Sequence, residues 1–549
     1  MINNIVAVLY FFYKDMRNTT GIPAQNPVPF FGGNGVLVFL DCDLGLQFIF
    51  EKEESVHMNE ICPVNDLRSA LEYLKTIPGQ YLETDVEVNP IHELSGVYRR
   101  VGAGGTVQRP TREGPAMVFT NIKGHPGAKI AIGLMASRKR VAHLLGTEPQ
   151  NLGRFMMESV TNPVAPVVID GPAPCQEEVH LASDPDFDVR KLVPASTNTP
   201  DDGGPYITLG LLRSKDPETG ETDVTIHRLC IHDADTISVF LQPGSRHLGM
   251  IYDKYAALGK PMPLSISIGL DPAIYIGACF EPPTTPYGYD ELSVAGSLRK
   301  QPVELVKCKT QDIEALAKAE IVIEGEILPG VTVKEDATTG TGYAMPEFPG
   351  YTGDAFPRCN VIKVSAVTTR KDPIMQTCIG PSEEHVSMAG IPTEASILSM
   401  VERALPGKVT NVYAHSAGGG KYMAVLQIKK TVPTDEGKQR QAALLAFSAF
   451  PELKNVILVD DDVDIFDSND VLWAMNTRFQ GNVDTVFIPG VRCHPLDPSS
   501  HPEYHPLNRD RGISCKTIFD ATVPFDCKKK FVRARFMDVD PSKWAPDLF

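Results

Sequence analysis

The sequence predicts an α/β protein with a mainly-β middle third. Three observations predict it. Helical and strand-like segments alternate between residues 66 and 146. Strand-like runs divided by Gly, Pro and Asp dominate residues 185–375. The alternation of helix and strand then returns in the last third.

Taken in order, "DLRSALEYLKTI" (66–77) carries apolar residues at helical spacing. "AMVFTNI" (116–122) and "KIAIGLM" (129–135) have the length of short buried strands, and "SRKRVAHLLG" (137–146) reads as a helix that Gly146 ends. A proline-rich bridge, "NPVAPVVIDGPAPC" (162–175), follows. The middle third contains "YITLGLL", "DVTIHRLCI", "ISVFL", "LSISIGL", "AEIVIEGEIL" and "CNVIKVSAVT". Many short strands with that punctuation suit a β domain, for which a barrel is one closed form. In the last third "ASILSMVERALPG" reads as helix, "MAVLQIKK" as strand and "QAALLAFSAFP" as helix. "NVILVDDDVDIF" then reads as a strand with its end, and "SNDVLWAMNTR" as helix.

A chain of 549 residues exceeds a single core, so two to four domains are expected. Its 42% hydrophobic and 22% charged residues fit a folded protein, and a net charge of −16 argues against a nucleic-acid partner. Eleven cysteines without a CxxC pair fit a reducing compartment and argue against a thiolate zinc site, so a cytoplasmic location is expected. "IVAVLYFFY" (5–13) is too short to span a bilayer and lacks the flanks of a signal segment. "GVLVFLDCDLGLQFIF" (35–50) carries Asp41 and Asp43 inside it. No membrane segment is therefore expected.

Several segments hold groups that can do chemistry. "VDDDVDIFDSNDVLWAMNTR" (459–478) ends an apolar strand in three aspartates, a place where a divalent ion can sit. The plainer reading, which we prefer, has Ser468 or Asn469 capping the next helix and the acids solvated. "TDVTIHR" (222–228) sets Asp223, Thr225 and His227 on one strand face and Val224, Ile226 and Arg228 on the other. "GSRHLG" adds Arg246 and His247, and "GYDELSVAG" adds Glu291. Carboxylates with one imidazole suit Mg²⁺ or Mn²⁺, but spacing does not show that these residues meet. Strand-edge charge, core histidine and helix-start acid explain them singly. "AHSAGGGKYMAV" (414–425) lacks the order of a phosphate loop, which leaves a hairpin bend or a turn presenting Lys421 into a cleft. In "MPEFPGY" (345–351) Glu347 stands between two prolines in a stiff loop, and by itself it reads slightly better as a surface acid than as a catalytic one.

Longer strings carry a resemblance. "ELSGVYRRVGAGGTVQRPTREGPAMVF", "TDVTIHRLC", "GLDPAIYIGACFEPPTTPYGYDELSVAGSLR", "AEIVIEGEILPG" and "VDDDVDIFDSNDVLWAMNTR" resemble the UbiD-like decarboxylases. "MPEFPGY", "GPSEEH", "AHSAGGGK" and "GISCKTIFD" are similar to their protocatechuate/gallate branch. The likeness runs from about residue 65 to the C-terminus and leaves residues 1–60 unassigned. It implies an N-terminal α/β domain (61–184), a central split β-barrel of the flavin-reductase type (185–375) and a C-terminal α/β oligomerisation domain (376–549). It also implies prenylated FMN as cofactor, supplied by a flavin prenyltransferase, with Mn²⁺ (or Mg²⁺), K⁺ or Na⁺, and a homo-oligomer, dimer or hexamer.

By the same resemblance Asp223 stands where the family has a metal-binding Asn, and His247 and Glu291 match its other ligands. Ile226, His227, Arg228 and Arg246 fall where the flavin is wrapped, and Arg478 and Asp520 match positions associated with the monovalent ion. Glu347 matches the catalytic acid, and His385, Lys421 and His494 match positions facing the substrate. The chain departs from cinnamate-type relatives at Gly342, where they have a second glutamate of an Arg–Glu–Glu network, so Glu347 is expected to act without that partner. Loss of CO₂ from an aromatic ring leaves charge in an sp² orbital, which needs an electron sink that only a cofactor supplies. The expected activity is non-oxidative decarboxylation of a small hydroxylated benzoic acid, gallate or protocatechuate. The alternatives are another aromatic acid (4-hydroxybenzoate, vanillate), an FMN oxidoreductase consuming NAD(P)H, and a metal-dependent accessory subunit.

Overall fold

The computed structural model describes residues 29–32, 36–41 and 45–48 by backbone, and residues 63–242, 246–504 and 512–546 in full. The chain divides into two compact units, 1–60 and 61–549. In the first, strands Pro29–Gly32, Val36–Asp41 and Gly45–Phe48 form an antiparallel meander. Within the second apolar stretch of the N-terminus, residues 36–41 and 45–48 are therefore strand, while the run 5–13 lies outside the described residues. Among the described residues no helix is long and apolar enough to cross a membrane.

The larger unit is organised around a closed barrel. Its strands are β1 (Tyr206–Lys215), β2 (Thr222–Asp233), β3 (Thr236–Val239), β4 (Met262–Ile268), β5 (Ile321–Val333) and β6 (Cys359–Thr369). They pair antiparallel in the order β3-β2-β1-β4-β5-β6, and β3 pairs back onto β6. Closure removes the exposed edges that a six-strand open sheet would present. The strands are rich in Ile, Val, Leu and Thr because both surfaces of the wall are covered. Along β5, Ile321 and Ile323 pack in one apolar cluster and Val322 in another.

Upstream, helix α1 (Leu67–Lys75) buries Leu67, Ala70, Leu71 and Leu74, the stripe its spacing predicted. Asp66 and Ser69 form a reciprocal capping box at its start, with Asp66 Oδ1 accepting the Ser69 N–H at 2.8 Å and Ser69 Oγ accepting the Asp66 N–H at 3.1 Å. Replacing Asp66 by Ala should lower stability by about 1 kcal/mol from the lost cap. The ion pair of Asp66 with Arg370 at 3.0 Å adds to that loss, and denaturant titration measures the sum. Helix α2 (Arg138–Leu145) ends at Gly146, whose φ of 74° supplies the left-handed cap. The small sheet beside these helices takes in strand Ile374–Thr377, parallel to Lys129–Ile132, so chain from beyond the barrel completes the N-terminal layer.

Downstream, beyond helices α3 (His247–Ala257) and α4 (Leu292–Arg299), helix α5 (Glu383–Ala404) runs for 22 residues and contains Pro392. Sequence spacing placed its start near 395, because a proline and the turn-like "GPSEEH" disguise the first three turns. It leads into a five-stranded sheet of β7 (Val409–Ala414), β8 (Met423–Ile428), β9 (Asn455–Asp460), β10 (Thr485–Arg492) and β11 (Ile513–Ala521). These lie in the order β7-β8-β9-β11-β10. The β7–β8 turn is the Gly-rich "HSAGGGK", and it is both a hairpin bend and the carrier of Lys421. Asp467, not Ser468 or Asn469, caps helix Ser468–Arg478, while Asp460 and Asp462 pair with Arg478.

Candidate active site

A cavity of about 630 Å³ opens where the barrel meets the start of α5 and the β7–β8 turn. Its wall takes Asp223 to Arg228 from β2, Arg246 and His247 from the start of α3 (His247–Ala257), and Glu291 from the start of α4 (Leu292–Arg299). Met345 to Phe348, His385, Lys421 and His494 complete it. Residues from both predicted faces of β2 reach the cavity. The β1–β2 ladder shifts register between His227 and Leu229, and such a bulge re-aims the side chain beside it.

Asp223, His247 and Glu291 bring one ligand atom each to within 4.8 Å of one another, the one such group among the described residues. His247 Nδ1 lies 3.2 Å from Asp223 Oδ1. Glu291 is 3% exposed and its Oε2 has no hydrogen-bond partner. Burial pushes its carboxyl up to about 9, and the charge of Asp223 pushes in the same direction. Two buried carboxylates, one with an orphaned oxygen, beside one imidazole are a donor set that a hard divalent cation satisfies. His227 Nε2 is also buried without a partner, and burial together with the Arg246 and Arg228 charges holds that ring down to about 3, hence neutral. A cavity of this size with such unmet polar groups fits an organic cofactor together with a small acid.

Arg228 joins two carboxylates. Its Nη1 makes a short ion pair with Glu347 Oε1, while Nε and Nη2 donate to Glu335 at 2.8 and 3.1 Å. Glu335, 3% exposed, also accepts the Phe356 N–H at 3.0 Å. The expectation that Gly342 leaves Glu347 without a second carboxylate is therefore corrected. Glu335, twelve positions before Glu347, supplies that partner from the end of β5, and Gly342 only turns the chain at a φ of 85° and donates to Asp336. Nothing local in "VKEDATTG" marks Glu335 as distinct from its neighbours. Glu335→Ala should cost about 1–3 kcal/mol of stability, since the partly buried Arg228 guanidinium loses its bidentate partner and keeps only Glu347. Comparison of urea midpoints with the parent chain measures it.

The loop bearing Glu347 is tied down on several sides. The Glu347 N–H donates to Tyr351 O at 2.8 Å, and Thr106 Oγ1 donates to Phe348 O at 2.6 Å. The Phe348 ring stacks on His385 (5.3 Å between centroids) and meets Tyr422 and His494 edge-on at 5.0 and 4.8 Å. Gly419, at a φ of 62°, lies against that ring with no room for a Cβ. Burial, with the nearby Lys421 charge, pushes His385 down to about 3 and His494 well below its ordinary value, so both rings are neutral. Burial opposes the charge of Lys421, but Glu281 and Glu452 outweigh it and hold the ammonium above its usual range. Lys421 Nζ lies 3.1 Å from Glu281 and 2.9 Å from Glu452, and Arg246 reaches Glu281 at 3.4 Å.

The structure thus brings Asp223, Ile226, His227, Arg228, Arg246, His247, Glu291, Glu347, His385, Lys421 and His494 to one cavity. It does not bring Arg478 and Asp520 there. Arg478 Nη1 and Nη2 donate to Asp460 and Asp462, and a guanidinium has no lone pair to offer a metal. Asp520 is taken by Arg440 at 2.9 Å and by Thr522 at 2.6 Å. Glu281, Glu335, Phe348 and Glu452 join the site without a sequence signal.

Three descriptions of one family cover the chain in series: the 3-octaprenyl-4-hydroxybenzoate carboxy-lyase N-terminal domain over residues 74–160, its Rift-related domain over 167–383 and its C-terminal domain over 386–521. The chain belongs to this UbiD family of carboxy-lyases, and it is an enzyme. Its individual likenesses include decarboxylases of aromatic acids. It is 58% identical to the gallate decarboxylase of Lactiplantibacillus plantarum over 86% of this chain and 97% of that one. It superposes on the apo 3,4-dihydroxybenzoic acid decarboxylase of Enterobacter cloacae with a TM-score of 0.84 and 59% identity, covering 89% of this chain and all of that one. A dimeric form of the UbiD-class enzyme HmfF from Pelotomaculum thermopropionicum, in complex with prFMN, is matched at 32% identity and a TM-score of 0.75, over 88% and 100% of the two chains.

Proposed function

We propose that this chain catalyses the reversible, non-oxidative decarboxylation of a hydroxylated benzoic acid, gallate to pyrogallol or protocatechuate to catechol, with prenylated FMN. One observation carries the reading: Glu347, paired to Arg228, shares a cavity with His385, Lys421 and His494 and with the Asp223–His247–Glu291 cluster. On this reading the six-stranded barrel is a split barrel of the flavin-reductase type. The domains run 61–184, 185–375 and 376–549, and the last oligomerises. A flavin prenyltransferase supplies the cofactor, and the cytoplasm is the expected location.

When bound, the prenylated flavin supplies the electron sink that the ring carbon needs. The chain's own residues do the rest. Asp223, His247 and Glu291 hold Mn²⁺ or Mg²⁺, and K⁺ or Na⁺ accompanies it. Ile226, His227, Arg228, Arg246 and His247 lie where the flavin is held. Arg228, whose Nε and Nη2 are held by Glu335, offers the Nη1 side of its guanidinium, now on Glu347, to a substrate carboxylate. Glu335 keeps that guanidinium anchored whatever Glu347 is doing. Glu347 returns a proton to the ring carbon that lost CO₂, and Tyr351 and Thr106 keep its loop in place. His385 and Lys421 meet the ring hydroxyls, with His494 beside them.

Co-expression with and without a flavin prenyltransferase tests the reading, with CO₂ release measured on gallate, protocatechuate and 4-hydroxybenzoate. Turnover is expected only with the prenyltransferase and without NAD(P)H. No turnover on all three would sink the substrate assignment, and NAD(P)H consumption with plain FMN would favour an oxidoreductase.

A further inference from the structure

Glu452 lies behind the cavity wall, in the turn between helix Lys438–Ala449 and β9. Its Oε2 accepts from Lys421 Nζ at 2.9 Å and faces His494 Nε2 at 3.3 Å. The other His494 nitrogen, Nδ1, accepts the Leu496 N–H at 3.1 Å, so the ring proton sits on Nε2 and points at Glu452. Both polar atoms of His494 are thereby committed, and its ring edge packs on Phe348. Lys421 has three donors, of which Glu452 takes one and Glu281 a second. One donor of Lys421 remains for a ligand. His385 Nε2 is buried without a partner, on the ring that Phe348 stacks against. Of the three cavity-lining side chains His385, Lys421 and His494, two therefore keep a free group, one ammonium N–H and one imidazole nitrogen, while the unpartnered Tyr422 hydroxyl lies outside the cavity lining.

We propose that Glu452 is a positioning residue that makes the cavity selective for two adjacent ring hydroxyls, by committing His494 and fixing Lys421 so that, of these three side chains, Lys421 and His385 are left to meet the hydroxyls. This deepens the reading given under Proposed function and rests on it. A lone hydroxyl satisfies one of the two free groups and leaves the other buried and unmet, which costs affinity. Removing the Glu452 charge lets Lys421 and His494 turn to new partners, and the requirement for the second hydroxyl relaxes.

The test compares the parent holoenzyme with Glu452→Gln and Glu452→Asp. Calorimetry gives the Kd of catechol and of phenol, and turnover gives kcat and KM for protocatechuate. The parent is expected to bind catechol at least about tenfold more tightly than phenol. Glu452→Gln should shrink that ratio by about tenfold, a change of about 1.4 kcal/mol, and raise KM for protocatechuate with kcat within about threefold. Glu452→Asp, which keeps the charge, should recover much of the ratio, a rescue that a role in folding alone would not produce. A parent-like ratio in Glu452→Gln, or equal weakening of both ligands, overturns the proposal. A parent that prefers catechol but decarboxylates nothing overturns the functional reading and leaves the role of Glu452 standing.

Discussion

Glu347→Gln lowers CO₂ release by about 10²–10⁴-fold, the range for removing a positioned proton donor, and slows deuterium exchange into added catechol from D₂O by a similar factor. The amide matches the carboxyl in shape but has no acidic proton to give. The substitution isolates that chemistry well. Arg228 keeps its bidentate partner Glu335, so no unpaired guanidinium is left buried. The loop keeps the Glu347–Tyr351 and Thr106–Phe348 hydrogen bonds, both of which use backbone oxygens. Phe348 keeps its stack on His385. Full rate in Glu347→Gln, measured as CO₂ and as exchange on catechol, would show that another group delivers the proton.

Asp223→Ala releases divalent metal and flavin together, with metal affinity falling by more than about 100-fold, beyond what loss of an outer-sphere contact causes. Asp223 is one of only two carboxylates in the cluster, and it also orients His247 through the 3.2 Å contact to Nδ1. Without it, Glu291 and a freely turning imidazole remain. Asp223→Asn, by contrast, restores the amide that UbiD-like relatives lead one to expect and should keep a measurable metal content. Elemental analysis and flavin absorbance of the purified variants separate these outcomes. Retention of both metal and flavin by Asp223→Ala would remove this cluster as the metal site.

Much of the barrel was legible because each wall strand is an apolar, β-branched run bounded by Gly, Pro or Asp, a local pattern that needs no partner to be recognised. Helix α1 was legible for the same reason, with Asp66 at its head. The start of α5 was not, since Pro392 and a turn-like approach contradict the local signal and burial of most of the helix overrides it. At the site, Glu347, Arg228 and the metal-type trio were singled out by residue type and by family likeness. Glu335 and Glu452 were not, because a carboxylate becomes a partner of Arg228 or Lys421 only when the chain returns to it from 107 or 31 residues away. Arg478 and Asp520 show the reverse. Their matched strings are real, yet their side chains are spent on Asp460, Asp462, Arg440 and Thr522.

By itself the sequence determined the elements: which runs become strands, where helices begin when a cap is present, and which ionisable residues sit in stiff or buried contexts. Those follow from propensities and periodicities that act within a few residues. Only the tertiary structure decided which charges meet. An ion pair or hydrogen bond depends on distances of a few ångströms set by barrel closure, a bulge in β2 and the docking of α5 against the β7–β8 turn. For that reason the second carboxylate on Arg228 came from the end of β5 and not from Gly342, and Lys421 acquired two carboxylate partners that its own glycine-rich turn does not contain.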